Sequence, residues 1–379
     1  MAALLAPALL LAIARGATAD ADVGLRVDTR SSTVQPVGVP ETSRVGYSVA
    51  PELRAAVTGG GLRLGAVYAP RVWSVDVSQR APIVDHSLDA RLATFHDAPW
   101  NAEVGAGATR GTTDPLTDPL RGTGPSRVAS AEPLAFEAAR ADARLKTQLD
   151  ARSELEGGAG VSATQGGDAA ARAIIPRQEV LAGDVRASHR LTERDTLGLG
   201  VGAGASRTGD GDAVVGARWA SLSVSWRRAL TPRLEGTIGL GAGWTQTDGA
   251  REATPWGQFP TAELGLFRAG TVALDARARL APYADPVTGE ATEMADARFS
   301  LRWPVAATIA MEATARGSAR TDGETTAGGT ELRVSWTVRP RLTVDAGLVA
   351  TRVHDGRPGM TSYSEAGLVV GAGWAPALR

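Results

Sequence analysis

The chain has 379 residues, 43% of them hydrophobic, with 40 basic and 41 acidic side chains and a net charge of -1. That balance leaves no electrostatic footprint for nucleic acid or for a general membrane-surface partner. The lack of cysteine excludes a disulfide framework, a thiolate metal site and a cysteine-linked lipid anchor.

Residues 2–14 form an apolar run of signal-peptide length, with only the Met1 amine as its positive end, and Ala17-Thr18-Ala19 fits the small-residue cleavage rule. Residues 1–19 are therefore expected to be a signal peptide and 20–379 a single domain. The run is shorter than the roughly 20 residues a spanning helix needs. A weak first strand is expected at 22–30. Val45, Tyr47, Val49, Leu53, Ala55 and Val57 then hold one parity, Gly59-Gly60-Gly61 supplies a turn, and Leu62, Leu64, Ala66 and Tyr68 return. Past Pro70 the apolar parity shifts to Trp73, Val75 and Val77, which predicts a bulge.

The stretch 136–149 also suits a helix by composition. Ala139, Ala141, Ala143, Leu145, Thr147 and Leu149 nevertheless alternate with Arg140, Asp142, Arg144, Lys146 and Gln148, which predicts a strand. From 213 onward the period of two is plain. Ala220, Leu222, Val224 and Trp226 oppose Ser221, Ser223, Ser225 and Arg227; Val272 to Leu280 oppose Asp275, Arg277 and Arg279; Ala297 to Trp303 oppose Asp296, Arg298, Ser300 and Arg302.

Short links near 58, 97, 151, 193, 230, 269, 305 and 340 alternate with long polar ones, the longest at 110–135. Tight turns on one side and longer loops on the other, joining strands of about ten alternating residues, predict an all-β fold: a transmembrane antiparallel up-and-down β-barrel. The expected count is about 18 strands, or 16 if 22–30 does not pair, with both termini periplasmic. A lumen that wide cannot be filled by side chains, so the apolar face must meet lipid.

The polar parity supplies the candidate lumen lining: Arg140, Asp142, Arg144, Lys146, Asp184, Arg186, Arg227, Asp275, Arg277, Arg279, Asp296, Arg298, Arg302, Glu312 and Arg333. Glycines such as Gly105, Gly107, Gly198, Gly200, Gly239 and Gly241 share that parity on alternate strands, where long side chains can lie over them; equally, they can serve curvature alone. Trp100, Trp226, Trp303, Trp336 and Trp374 fall near short turns or the last strand's end and form a candidate aromatic girdle. In the 110–135 loop, Asp114 and Asp118 are candidate constriction residues, expected to pair with arginines such as Arg140, Arg144 or Arg186 if the loop folds inward rather than staying outside.

No catalytic, cofactor or metal site is expected. Ser188 and His189 are sequence neighbours and would point to opposite faces of a strand. The glycine run 198–204 opens no helix, and 208–212 has too few ligands for a calcium loop.

On these features the chain resembles the integral outer-membrane β-barrel proteins of Gram-negative bacteria. Through its strand count, the segment Leu62-Arg63-Leu64 to Tyr68-Ala69-Pro70-Arg71-Val72, and Trp226-Arg227-Arg228-Ala229-Leu230-Thr231-Pro232-Arg233, it is similar to the 18-stranded barrels that accompany polysaccharide export. The resemblance implies an exported outer-membrane protein whose partners are lipid, the barrel-insertion machinery and a periplasmic export component. It departs from the usual aromatic final residue, since Ala375 to Arg379 follow Trp374. Two function classes follow: a conduit for solute or polymer, or a structural or adhesive barrel with an occluded lumen and binding loops.

Overall fold

The computed structural model describes residues 18–374 apart from 78–80, 95–99, 115, 117–129, 131, 210–213, 250–253, 286, 357–359 and 361. Its strands are β1 (Thr18–Pro36), β2 (Thr42–Gly59), β3 (Leu62–Tyr68), β4 (Arg71–Ser74), β5 (Ile83–Thr94), β6 (Trp100–Thr112), β7 (Ala135–Gln148), β8 (Ser153–Gly166), β9 (Gln178–Arg190) and β10 (Asp195–Thr208). They continue as β11 (Val215–Thr231), β12 (Leu234–Asp248), β13 (Gly257–Arg268), β14 (Ala273–Ala284), β15 (Ala291–Pro304), β16 (Ile309–Arg320), β17 (Thr325–Arg339), β18 (Leu342–Asp355) and β19 (Tyr363–Trp374). A short helix, α1 (Ala169–Ile174), is capped by the Asp168 carboxylate accepting from the Ala171 N–H.

Consecutive spans pair antiparallel around the barrel, and β1 closes the sheet by pairing with both β2 and β19. Strands β3 and β4 are two pieces of one span, so nineteen segments make an eighteen-stranded closed barrel. The first strand does pair, and it runs from Thr18 to Pro36, well beyond the expected 22–30. The 136–149 stretch is strand β7.

The expected bulge at Pro70 is corrected. Leu53 opposes Tyr68 and Val49 opposes Val72, while Tyr68 opposes Leu88 and Arg71 opposes Asp85, so the register on both sides runs unbroken through the gap. Proline removes one ladder donor there without inserting a residue. Val72 keeps the parity of Tyr68, and Trp73 and Val75 fall among the buried residues instead of joining the apolar outer face. Register shifts occur elsewhere, at Ala229/Thr231 and Thr337/Arg339, each just before a Pro-Arg turn.

The two faces are inverted relative to a water-soluble protein. Leu240, Leu348 and Leu181 are each at least 60% exposed, while Asp285, Glu365, Asp114 and Asp345 are at most 3% exposed. Long apolar side chains standing in open contact around a closed sheet require an apolar solvent, the bilayer. Burial is also polarised along the barrel axis. Val34, Trp73, Ala217, Phe259, Met294, Val353 and Tyr363 all lie close to the long-loop ends of their strands, and Val34, Val353 and Tyr363 pack together there.

Candidate lumen and loop-end latch

Residues directly opposite in an antiparallel ladder share a face, so the register assigns a side to every strand position. Propagated around the barrel, it places all fifteen polar candidates on one face, opposite the face that carries Leu222, Leu240, Leu274 and Leu348. The five tryptophans Trp100, Trp226, Trp303, Trp336 and Trp374 stand on the apolar face at the short-turn end.

On the inner face, arginines from adjacent strands stand side by side. Arg277 opposes Arg298, which opposes Arg316. Asp275 accepts from Arg277 at 2.9 Å and Arg298 at 3.1 Å, and Asp296 accepts from Arg316 at 3.1 Å, so carboxylates one pleat away offset the like charges.

Glycine governs which charges meet. Arg140 on β7 donates to Asp89 on β5 across Gly107 of β6, where an added Cβ would stand 2.6 Å from Asp89 and 3.1 Å from the Arg140 Nε. Arg186 on β9 crosses Gly198 of β10 to the Ser225 hydroxyl on β11 at 2.8 Å. Arg26 on β1 passes Gly371 of β19 to reach Asp345 on β18 at 2.9 Å. In each case a long side chain lies flat along the wall, which keeps it out of the lumen.

The loop between β6 and β7 is held on β1, β2 and β4, not on the β7 and β9 arginines expected from sequence. Asp114 takes the Arg30 guanidinium at 2.7 Å and lies 3.6 Å from that of Arg71. Arg30 and Arg71 stand over the Trp73 ring at 5.3 and 4.2 Å, and Asp85 accepts from the Trp73 indole at 2.6 Å and from Arg71 at 2.9 Å. The other foot of the loop is held where Arg44 meets Glu132 at 3.0 Å, and Thr113 and Leu134 bond to each other at the base. Leu116 is fully buried, which puts the start of the loop inside the barrel. Asp118 lies outside the described residues.

Nothing in the register signalled this arrangement, because Arg30, Arg44 and Arg71 look like ordinary inward charges of the noisier first strands. Trp73 is no clue either, since its parity past Pro70 reads as apolar and outward, and only the ladder to β2 and β5 turns it inward. A second tie closes the other side: Gln178 at the start of β9 donates to the Asp285 carbonyl beyond β14 at 3.3 Å, and Arg320 meets the Asp285 carboxylate at 3.1 Å.

His189 bonds Ser153 across the ladder at 2.9 Å, not Ser188, and Asp150 is taken by the Arg152 and Ser153 N–H groups of the adjoining turn. No group of three or more metal-ligating side chains occurs among the described residues. Of the possible calcium loop, residues 210–212 lie outside the described residues.

Fold and lumen together define a transmembrane antiparallel β-barrel of eighteen strands with a charged inner wall. The chain is similar to the apoprotein form of the FrpB iron transporter from Neisseria meningitidis, with 10% identity and a TM-score of 0.51 over 89% of this chain. It spans about 63% of that protein's length. It is also similar to OccK2 from Pseudomonas aeruginosa, with 13% identity and a TM-score of 0.46 over 94% of this chain and 98% of that one. A BenF-like porin from Pseudomonas fluorescens Pf-5 gives 11% identity and a TM-score of 0.45 over 94% and 99%. At these identities the likeness is one of fold. No family model matches the chain, and no curated protein does.

Proposed function

We propose that this protein is a solute-conducting barrel of the Gram-negative outer membrane, closed at its long-loop end by the feet of the β6–β7 loop. One observation carries the reading: Asp114 and Glu132 bind that loop to Arg30, Arg71 and Arg44 of the wall by ion pairs. The Arg30–Asp114 pair is buried, and such pairs contribute little net stability but strongly disfavour the loss of one partner, whereas Glu132 is half exposed and its pair with Arg44 is a weaker tie. Below it, the fifteen inward candidates line the path, with long side chains laid over glycine. Under this reading the short turns and both termini face the periplasm, the tryptophans form the girdle of that interface, and export follows cleavage after Ala19. Its partners are then lipid and the insertion machinery.

The expectation of polysaccharide export, with a periplasmic export component as partner, finds no support in the likeness to the FrpB iron transporter. The second reading, an occluded barrel whose loops bind, is favoured by the burial of Leu116, Val34 and Tyr363 at the loop end.

Conductance of the purified protein in a planar bilayer separates the two. Asp114→Asn or deletion of residues 112–130 should raise conductance and reduce ion selectivity if the latch closes a path. A bilayer that stays as tight with the deletion variant as with the parent favours the occluded barrel.

A further inference from the structure

The outer face of β11–β14 carries a trough of about 470 Å3 near the short-turn end. Trp226 and Leu230 wall it on one side, and Gly236, Ala276 and Ala278 leave its bed shallow in side chain between Ile238, Leu264 and Leu266. The register puts Arg228, Gly236, Leu266 and Ala276 in one row, only two residues along β12 from its first residue. The row therefore sits at headgroup depth, with the trough running toward the hydrocarbon.

The trough is built firmly at its rim. The Trp226 indole donates to Asp195 at 3.0 Å, and the Arg228 guanidinium stands 5.7 Å over the ring and 3.8 Å from the same Asp195 carboxylate. Arg268 shares the outer face opposite Leu234 and has no carboxylate within ion-pair distance among the described residues. Two strands and two residues separate Arg268 from Arg228, about 12 Å between Cα atoms, which two arginine side chains can close from either side. An apolar trough leading away from paired cations matches one molecule: a phosphodiester at the rim and an acyl chain below.

We propose that this trough binds one glycerophospholipid of the turn-side leaflet, with its phosphate at Arg228 and Arg268 and an acyl chain along Gly236, Ala276 and Ala278. The site does not depend on whether the barrel conducts. A cation at interfacial depth on an otherwise apolar face is costly unless paired; Arg228 shares Asp195 at 3.8 Å, and a lipid phosphate supplies the pairing that Arg268 lacks among the described residues.

Native mass spectrometry of the detergent-solubilised protein, titrated with phosphatidylglycerol and separately with dioleoylglycerol, tests it. The parent should retain one phosphatidylglycerol at activation energies that strip dioleoylglycerol. Ala276→Leu, which fills the trough, and Arg228→Gln, which removes the cation, should each lower that retention at least fivefold, whereas Leu368→Ala on β19 should not. If Ala276→Leu does not fold, as judged by heat-modifiable gel migration, Ala278→Leu takes its place. Equal retention by the filled variant and the parent, or equal retention of both lipids, would overturn the proposal; bilayer conductance is unaffected by either result.

Discussion

Arg140 and Asp89 form an ion pair at 2.5 Å although they belong to strands that do not touch, because Gly107 on the strand between them has no side chain to intervene. Both partners are about half exposed, so the pair itself adds little stability. What the glycine secures is clearance. At inner-face Gly241 an added carbon would meet the Leu222 carbonyl and the Ser223 backbone, not movable side-chain ends as at Gly107, so Gly241→Val should cost about 1 to 3 kcal/mol through overpacking. Gly373→Ala, also on the inner face but with no atom within 4 Å of the added carbon, should be neutral. Urea midpoints for refolding into detergent micelles compare the two, and equal midpoints would remove the clearance argument.

The assignment of faces has a direct test on β11. Leu222 stands on the outer face and Ser223 on the inner one. Leu222→Arg should cost about 2 to 4 kcal/mol if it lies near the bilayer midplane. Ser223→Arg, facing the lumen, should fold with unchanged stability in lipid vesicles. Equal cost at both positions would refute the inversion.

Trp73 is the centre of the latch, buried beneath two guanidinium groups and bonded to Asp85. Trp73→Ala should cost about 3 to 5 kcal/mol and free the loop at Asp114. Trp73→Phe keeps most of the packing and loses one hydrogen bond, about 1 kcal/mol. Limited proteolysis within 113–134 reads the loop directly: cleavage should accelerate strongly in the alanine variant and weakly in the phenylalanine one.

The proposed girdle predicts a spectroscopic outcome. In vesicles whose lipids carry a bromine high on the acyl chain, emission from Trp226 and Trp303 should be quenched more than with bromine near the chain terminus. Single-tryptophan variants measure this, and deep quenching would displace these residues from the interface.

Strand order, turn positions and barrel closure were legible in the sequence because period-two alternation and turn residues are local signals. Positions 136–149 could be told from helix on alternation alone. At Pro70 the same local logic failed: Trp73, Val75 and Val77 continue an apolar rhythm, but the ladder to β2 and β5 sets the register, and Trp73 turns inward to serve Arg30 and Arg71. The partners of Asp114 were likewise hidden. Sequence places Arg140 next along the chain, whereas the loop runs back over the wall to β1 and β4. Such choices depend on which strand ends gather at one mouth of the barrel, and that is settled only once the sheet has closed.

Closure itself constrains how the molecule comes into being. The seam joins Leu25 to Trp374 and continues to Pro36 opposite Tyr363, so the strand made first has its final neighbour made last. Until β19 arrives, β1 and β18 each present a bare row of amides and carbonyls, in lipid an expense of several kcal/mol for every unpaired group. No stable half-barrel is therefore available as a stopping point, and membrane entry must be nearly simultaneous with completion. A chain cut before β19 should be found on the aqueous side, aggregated edge to edge. A circular permutant opened at the Pro340–Arg341 turn should instead insert normally, having only moved the place where the ring is joined.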